Sequence, residues 1–133
     1  MMNYTIDQRK ERALELRRQG CNCCQCVAMV FDDVTGLESG AVAALSGGFG
    51  SGFGGRGDVC GTMSAATMVC GVAYEGMERK ELYGKVKAVM GAFEAAEGSC
   101  VCRELKGPGR KPCAELITDA VEMLHSQLEA DGK

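Results

Sequence analysis

Apolar residues recur at three- and four-residue intervals along most of this chain, and that spacing restricts the fold to packed helices. Cys23, Cys26, Val27, Val30, Phe31 and Val34 make one such stripe. Leu82, Val86, Val89, Met90 and Phe93 make a second, and Cys113, Leu116, Ile117, Ala120, Val121, Leu124 and Leu128 a third. No alternating run is long enough to propose a strand. Capping and breaking residues set the boundaries. A charged helix from about Thr5 to Gln19, with Ile6, Ala13, Leu14 and Leu16 as its modest apolar side, is stopped by Gly20. Asn22 is a good N-cap for the second helix, and a short third runs near Glu38 to Leu45. The glycine-dense loop Gly47 to Gly57 ends at Asp58, which is placed to cap a helix from near Cys60 to about Tyr74. A fifth helix covers roughly Glu78 to Ala96, and Ser99 offers a cap for a turn through Cys102 and Leu105. Gly107, Pro108 and Gly109 break the chain before Pro112 opens the last helix. The fold class is all-α, a compact bundle of about five to six helices with a glycine-rich loop. Gly84, Gly91 and the Gly71 region each cost roughly 1 kcal/mol relative to alanine inside a helix, so they read as points of close helix–helix approach.

A chain of 133 residues is expected to form a single helical, cysteine-rich domain, 1–133, with a core that needs no disulfide staples. The net charge of −3 leaves no basic field to gather phosphates, so nucleic acid is not an expected partner. No segment has signal-peptide character or membrane-spanning length. A cytoplasmic location without membrane insertion follows as the expectation. The amphipathic helices permit a homodimer without requiring one.

Nine cysteines then become the central chemical feature. In a reducing compartment, thiols at this density bind metal, carry chemistry or stay free more often than they form permanent bridges. Cys23 follows the Asn22 cap, Cys60 lies just past Asp58, Cys102 just past Ser99, and Cys113 directly after Pro112. Each is expected in the first turn of a helix, where unpaired backbone N–H groups and the macrodipole favour thiolate. Cys23 and Cys113 also lie on apolar stripes, so the four thiols could converge on one pocket. Four thiolates would satisfy a tetrahedral zinc or an iron–sulfur cluster; alternatively, one or two pairs could cycle between dithiol and disulfide. The bland reading treats each cysteine as a small buried hydrophobe. Cys21 with Cys24, and Cys23 with Cys26, have CxxC spacing, and Cys100 forms a CxC pair with Cys102, which makes Cys21, Cys24, Cys26 and Cys100 candidate auxiliaries of a metal site. Cys70, among Met68, Val69 and Val72, reads as plain core.

These residues and their flanks resemble the C-GCAxxG-C-C family, for which a redox role is inferred and no substrate or reaction is established. The resemblance runs from Gly20 to the last helix. Gly20-Cys21-Asn22-Cys23-Cys24-Gln25-Cys26-Val27 is similar to the family's first cysteine segment and assigns that cysteine to Cys23. Gly47 to Asp58 is similar to the glycine-rich loop, and Cys60-Gly61 opens the motif. Thr62 stands where the motif has alanine and Ala65 where it has its final glycine. Ser99-Cys100-Val101-Cys102-Arg103-Glu104-Leu105 is similar to the family's CREL segment, and Pro112-Cys113 supplies the fourth cysteine. The resemblance implies a helical fold and redox chemistry at Cys23, Cys60, Cys102 and Cys113.

Other signals are weaker. Gly50-Ser51-Gly52-Phe53-Gly54-Gly55 spells GxGxxG but lacks the βαβ setting of a dinucleotide site, and reads as a loop that needs positive φ. His125 is expected at a solvated helix edge. Three functions stay open. The first is a thiol redox protein, conceivably a thiol–disulfide oxidoreductase, serving an unidentified redox protein partner. The second is a metal or iron–sulfur module on the same cysteines, and the third is a non-catalytic helical interaction domain.

Overall fold

The computed structural model describes residues 2–133, and among them no strand forms; the sole β feature is an isolated antiparallel bridge between Val59 and Val101. The helices are α1 (Ile6–Arg18), α2 (Cys23–Ala28), α3 (Asp32–Thr35), α4 (Ser39–Ser46), α5 (Gly61–Ala73), α6 (Arg79–Glu97), α7 (Cys102–Leu105) and α8 (Cys113–Ala130). Short 3-10 turns cover Met29–Phe31 and Gly47–Phe49, and a further helical turn covers Gly50–Phe53. The long helices fall where periodicity places them. The segments outnumber the five to six expected because the stripe from Cys23 to Val34 is not one helix. Phe31 leaves the helical region (φ −115°, ψ 27°), and it does so where the buried Arg9 side chain takes the Val30 carbonyl.

Caps explain the starts of α1 and α2. Thr5 accepts from the Gln8 backbone while Gln8 returns a bond to the Thr5 N–H, and Asn22 and Gln25 repeat the arrangement. Gly20, at φ 99°, ends α1 as expected. Helix α8 forms the spine of the core. Its Leu116, Ile117, Ala120, Val121, Leu124 and Leu128 are all buried, and it packs on α1, α2, α5 and α6. Each fully buried Leu or Ile on this stripe is worth roughly 1.5–3 kcal/mol.

Two expectations fail here. Gly71, Gly84 and Gly91 face open space, with nothing within 4 Å of an added Cβ, so none is a point of close approach within the chain. The closest approaches occur instead at Gly50 and Gly52 within the glycine loop and at Gly61 just beyond it. His125 is 3% exposed. Its Nδ1 accepts from Arg9 Nε at 3.0 Å, and Arg9 also grips Asp33 through both terminal nitrogens at 2.7 and 2.8 Å. This buried network ties α1, α3 and α8 together and stacks the guanidinium on the Phe31 ring, 4.3 Å from its centroid. Among the described residues, no helix is long and apolar enough to cross a membrane.

Candidate functional site

The glycine loop builds one wall of the site. Ser51, Gly52, Phe53, Gly54 and Gly55 all carry positive φ, between 54° and 87°. They wind one left-handed turn closed by Gly55 N–H to Gly50 O (3.1 Å), Gly57 N–H to Ser51 O (3.0 Å) and Asp58 N–H to Gly52 O (3.1 Å). Left-handed backbone costs an L-residue about 1–2 kcal/mol, a penalty borne here at Ser51 and Phe53. A Cβ on Gly52 would lie 2.5 Å from the Asp58 nitrogen and 2.9 Å from the Cys102 Cβ. Glycine at that position lets the loop close on Cys102.

A short backbone ladder then sets Cys60 and Cys102 beside one another. Cys60 N–H donates to Cys100 O at 2.7 Å, Cys102 N–H to Asp58 O at 2.6 Å, and Arg103 N–H to Gly57 O at 3.1 Å, around the Val59–Val101 bridge. Gly61 performs the corresponding service between helices. An added Cβ would clash with Cys23 Sγ and would lie 3.1 Å from the Cys24 nitrogen and 3.2 Å from the Phe49 carbonyl oxygen. Helix α5 can therefore start directly against α2.

The result is one open cavity of about 60 Å³, lined by Cys23, Cys60, Cys102 and Cys113 together with Arg17, Asn22, Ser51, Thr62, Leu105, Lys106 and Leu116. Cys23, Cys102 and Cys113 are the first residues of α2, α7 and α8, while Cys60 is the N-cap of α5. Cys60 and Cys102 are 5% and 6% exposed, whereas Cys23 and Cys113 are half-buried. Two caps differ from the sequence expectation. Asp58 pairs with Arg56 (2.8 Å) and Arg103 (3.4 Å) instead of capping α5. Ser99 takes the Val101 N–H and donates to Glu104, and the N-cap position of α7 falls to Val101.

The remaining cysteines do not line the cavity. Cys24 and Cys26 have no exposed surface, and burial pushes their thiols up to about 12 and about 11. Burial likewise raises Cys70 and Cys100 to about 11, and the Cys100 thiol donates to the Met90 carbonyl. At neutral pH thiols raised this far stay protonated. They are inert packing. Cys21 is half-buried, and its carbonyl accepts from the Cys26 thiol at 3.7 Å.

Helix-start placement does not make Cys60 acidic. Burial pushes its thiol up; hydrogen bonds from Thr62 pull the other way, and the neighbouring Cys23 and Cys102 add to the rise. Thr62 is wholly buried, and its Oγ1 sits 3.0 Å from Cys60 Sγ. The departure from the motif thus places a hydroxyl on the motif's own cysteine. Ala65, the other departure, is a fully buried residue within α5.

All nine cysteines are free thiols. Among the described residues, no group of three or more His, Cys, Asp or Glu side chains is gathered closely enough to hold a metal ion. The four cavity thiols surround a space rather than a point, so in this arrangement they do not fit a zinc or an iron–sulfur cluster, whose sulfurs share centres about 2.3 Å away. Sequence reasoning missed Arg17 and Lys106 as wall residues. Arg17 was legible only as one charge among many on α1, and Lys106 carries no local motif.

A family model described as "Putative redox-active protein (C_GCAxxG_C_C)" matches residues 21–127. Neither the curated proteins nor the solved structures give a match.

Proposed function

The chain belongs to the C_GCAxxG_C_C family, and on that premise we propose that it is a thiol redox protein that exchanges a cysteine dithiol for a disulfide at this cavity. The observation carrying the proposal is the convergence of Cys23, Cys60, Cys102 and Cys113, from four separate segments, on one solvent-connected space. Inert core cysteines have no reason to meet at an opening, and the five others do not line it.

Exposure and chemistry divide the roles. Cys23 is half-buried and reachable, with its sulfur against Gly61, the residue that follows Cys60. It is the attacking thiol. Its thiolate displaces one sulfur of an incoming disulfide, forming a mixed disulfide and releasing the first thiol. Cys60, buried beside it, is the resolving thiol, and its attack frees the second thiol and closes a Cys23–Cys60 bridge. The protein loses two electrons, the partner disulfide gains two, and the two thiol protons end on the two released thiols. Cys102 and Cys113 form the second pair around the same space. A resolving thiol raised by burial leaves the reduced state without thiolate stabilisation, which poises the couple toward reductant rather than oxidant.

Thiol counting tests this reading. Reduced protein treated with excess oxidised dithiothreitol or diamide, then freed of reagent, should lose two or four titratable thiols and regain them with reductant. A constant count of nine under both conditions would refute it.

A further inference from the structure

The proposed thiol chemistry leaves the identity of the disulfide open, and the cavity wall bears on it. Of the side chains lining the cavity, two are cations, Arg17 and Lys106, and none is a carboxylate. This contrasts with a chain that is acidic overall, with 18 Asp and Glu against 15 Lys and Arg. Neither cation forms an ion pair among the described residues; Arg17 gives one 3.3 Å bond to the Cys21 carbonyl. Three other basic side chains are committed to carboxylates. Arg56 and Arg103 pair with Asp58, and Lys111 bridges Glu97 and Asp119.

Two further features add the same sign of potential. Helix α5, with Cys60 as its N-cap, and helix α8, which begins at Cys113, have no side-chain cap on their first N–H groups, so the positive ends of both open on the cavity.

Resting on the thiol redox reading above, we infer that the substrate of this cavity is a low-molecular-weight anionic disulfide, one whose carboxylates pair with Arg17 and Lys106 while its sulfur meets Cys23. The reaction is stoichiometric: reduced protein plus one disulfide gives the Cys23–Cys60 bridge plus two small thiols. Two electrons and two protons pass from the cysteine pair to the disulfide. The carboxylates keep their charge throughout, so the cations act on binding and orientation.

The test uses the full chain, pre-reduced and freed of reductant, in single turnover with three disulfides of different charge. Oxidised glutathione is anionic, 2-hydroxyethyl disulfide neutral and cystamine cationic. Each rate is divided by the rate of the same disulfide with dithiothreitol, which removes differences in intrinsic reactivity. The normalised order should be glutathione, then hydroxyethyl disulfide, then cystamine, with about tenfold or more between the extremes at low ionic strength, at the lower end of electrostatic rate effects. Salt at 0.5 M should compress the order through screening, and the double variant Arg17→Gln, Lys106→Gln should bring the three ratios together. Equal ratios in the native protein, or an order that survives the double substitution, would overturn the anionic substrate and leave the redox reading standing. If no disulfide oxidises a cysteine pair, both fall.

Discussion

Glycine-to-alanine substitution should have opposite signs at Gly61 and Gly84, and the contrast isolates the packing that builds the cavity. At Gly84, mid-way along α6, an added methyl meets nothing within 4 Å. Only the backbone preference acts there, and alanine should stabilise the protein by about 0.5–1 kcal/mol. At Gly61 the same methyl is driven into Cys23 Sγ, with the Cys24 nitrogen at 3.1 Å and the Phe49 oxygen at 3.2 Å. The sulfur can rotate, but the two backbone atoms cannot move without separating α5 from α2. Overpacking of this kind costs about 1–3 kcal/mol, and Gly61 is the first residue of its helix, so little propensity gain offsets it. The two variants should therefore differ by about 1.5–4 kcal/mol. With a urea slope near 2 kcal/mol/M, their unfolding midpoints separate by about 1 M or more. Urea titration under reducing conditions, followed by far-ultraviolet circular dichroism, measures this directly. A Gly61→Ala midpoint equal to that of Gly84→Ala would refute the close approach of α2 and α5 and, with it, the placement of Cys23 beside Cys60.

Three other outcomes follow from the geometry. Arg9→Met should destabilise the fold by about 3–5 kcal/mol because it strands the buried Asp33 carboxylate, and Asp33→Asn in the same chain should restore part of the loss in thermal or urea unfolding. His125 is held below its ordinary value by burial and by Arg9, against the pull of Glu129 and Asp33; its folded pKa lies below the unfolded 6.5, so its contribution is complete above that pH and is lost as pH falls beneath it. Urea midpoints at pH 7.5 and 5.5 should show that fall, and His125→Gln should reduce it; an unchanged pH slope would contradict the assignment. Thr62→Val removes the hydroxyl 3.0 Å from Cys60 Sγ, which should move the pH profile of Cys60 alkylation by iodoacetamide upward and slow labelling at neutral pH, while Thr62→Ser keeps the native profile; mass-resolved labelling reads both.

Much of this architecture was legible because local signals agreed with one another. The Thr5 and Asn22 boxes, the Gly20 stop and the α8 stripe each combine a cap or breaker with the right period, so those elements lie where the sequence places them. The positions of Cys23 and Cys113 at helix starts were legible for the same reason, whereas Cys60 and Cys102 stand at helix starts without the Asp58 and Ser99 caps that marked them in the sequence. What was not legible depends on contacts between distant segments. Arg9 looks like one more surface charge on a polar helix, and only the arrival of Asp33 and His125 buries it. The helical glycines of α6 look like packing points because the cost of glycine is local, whereas the compensating contact would have to be tertiary. The ionisation of Cys60 went the other way from its helix-start placement, since burial is a tertiary quantity and outweighs the local dipole. Arg17 and Lys106 carry no local motif at all; they share a wall only after folding.

Disulfide mapping tests the central claim most directly. Reduced protein is exposed to a limiting disulfide oxidant, its remaining thiols are blocked under denaturing conditions, and the digest is read by mass spectrometry. The account predicts a reductant-reversible link between Cys23 and Cys60, with any second bridge joining Cys102 and Cys113, and Cys24, Cys26, Cys70 and Cys100 recovered as blocked free thiols. Bridges drawn mainly from those four, or no reversible bridge among the cavity cysteines, would contradict it.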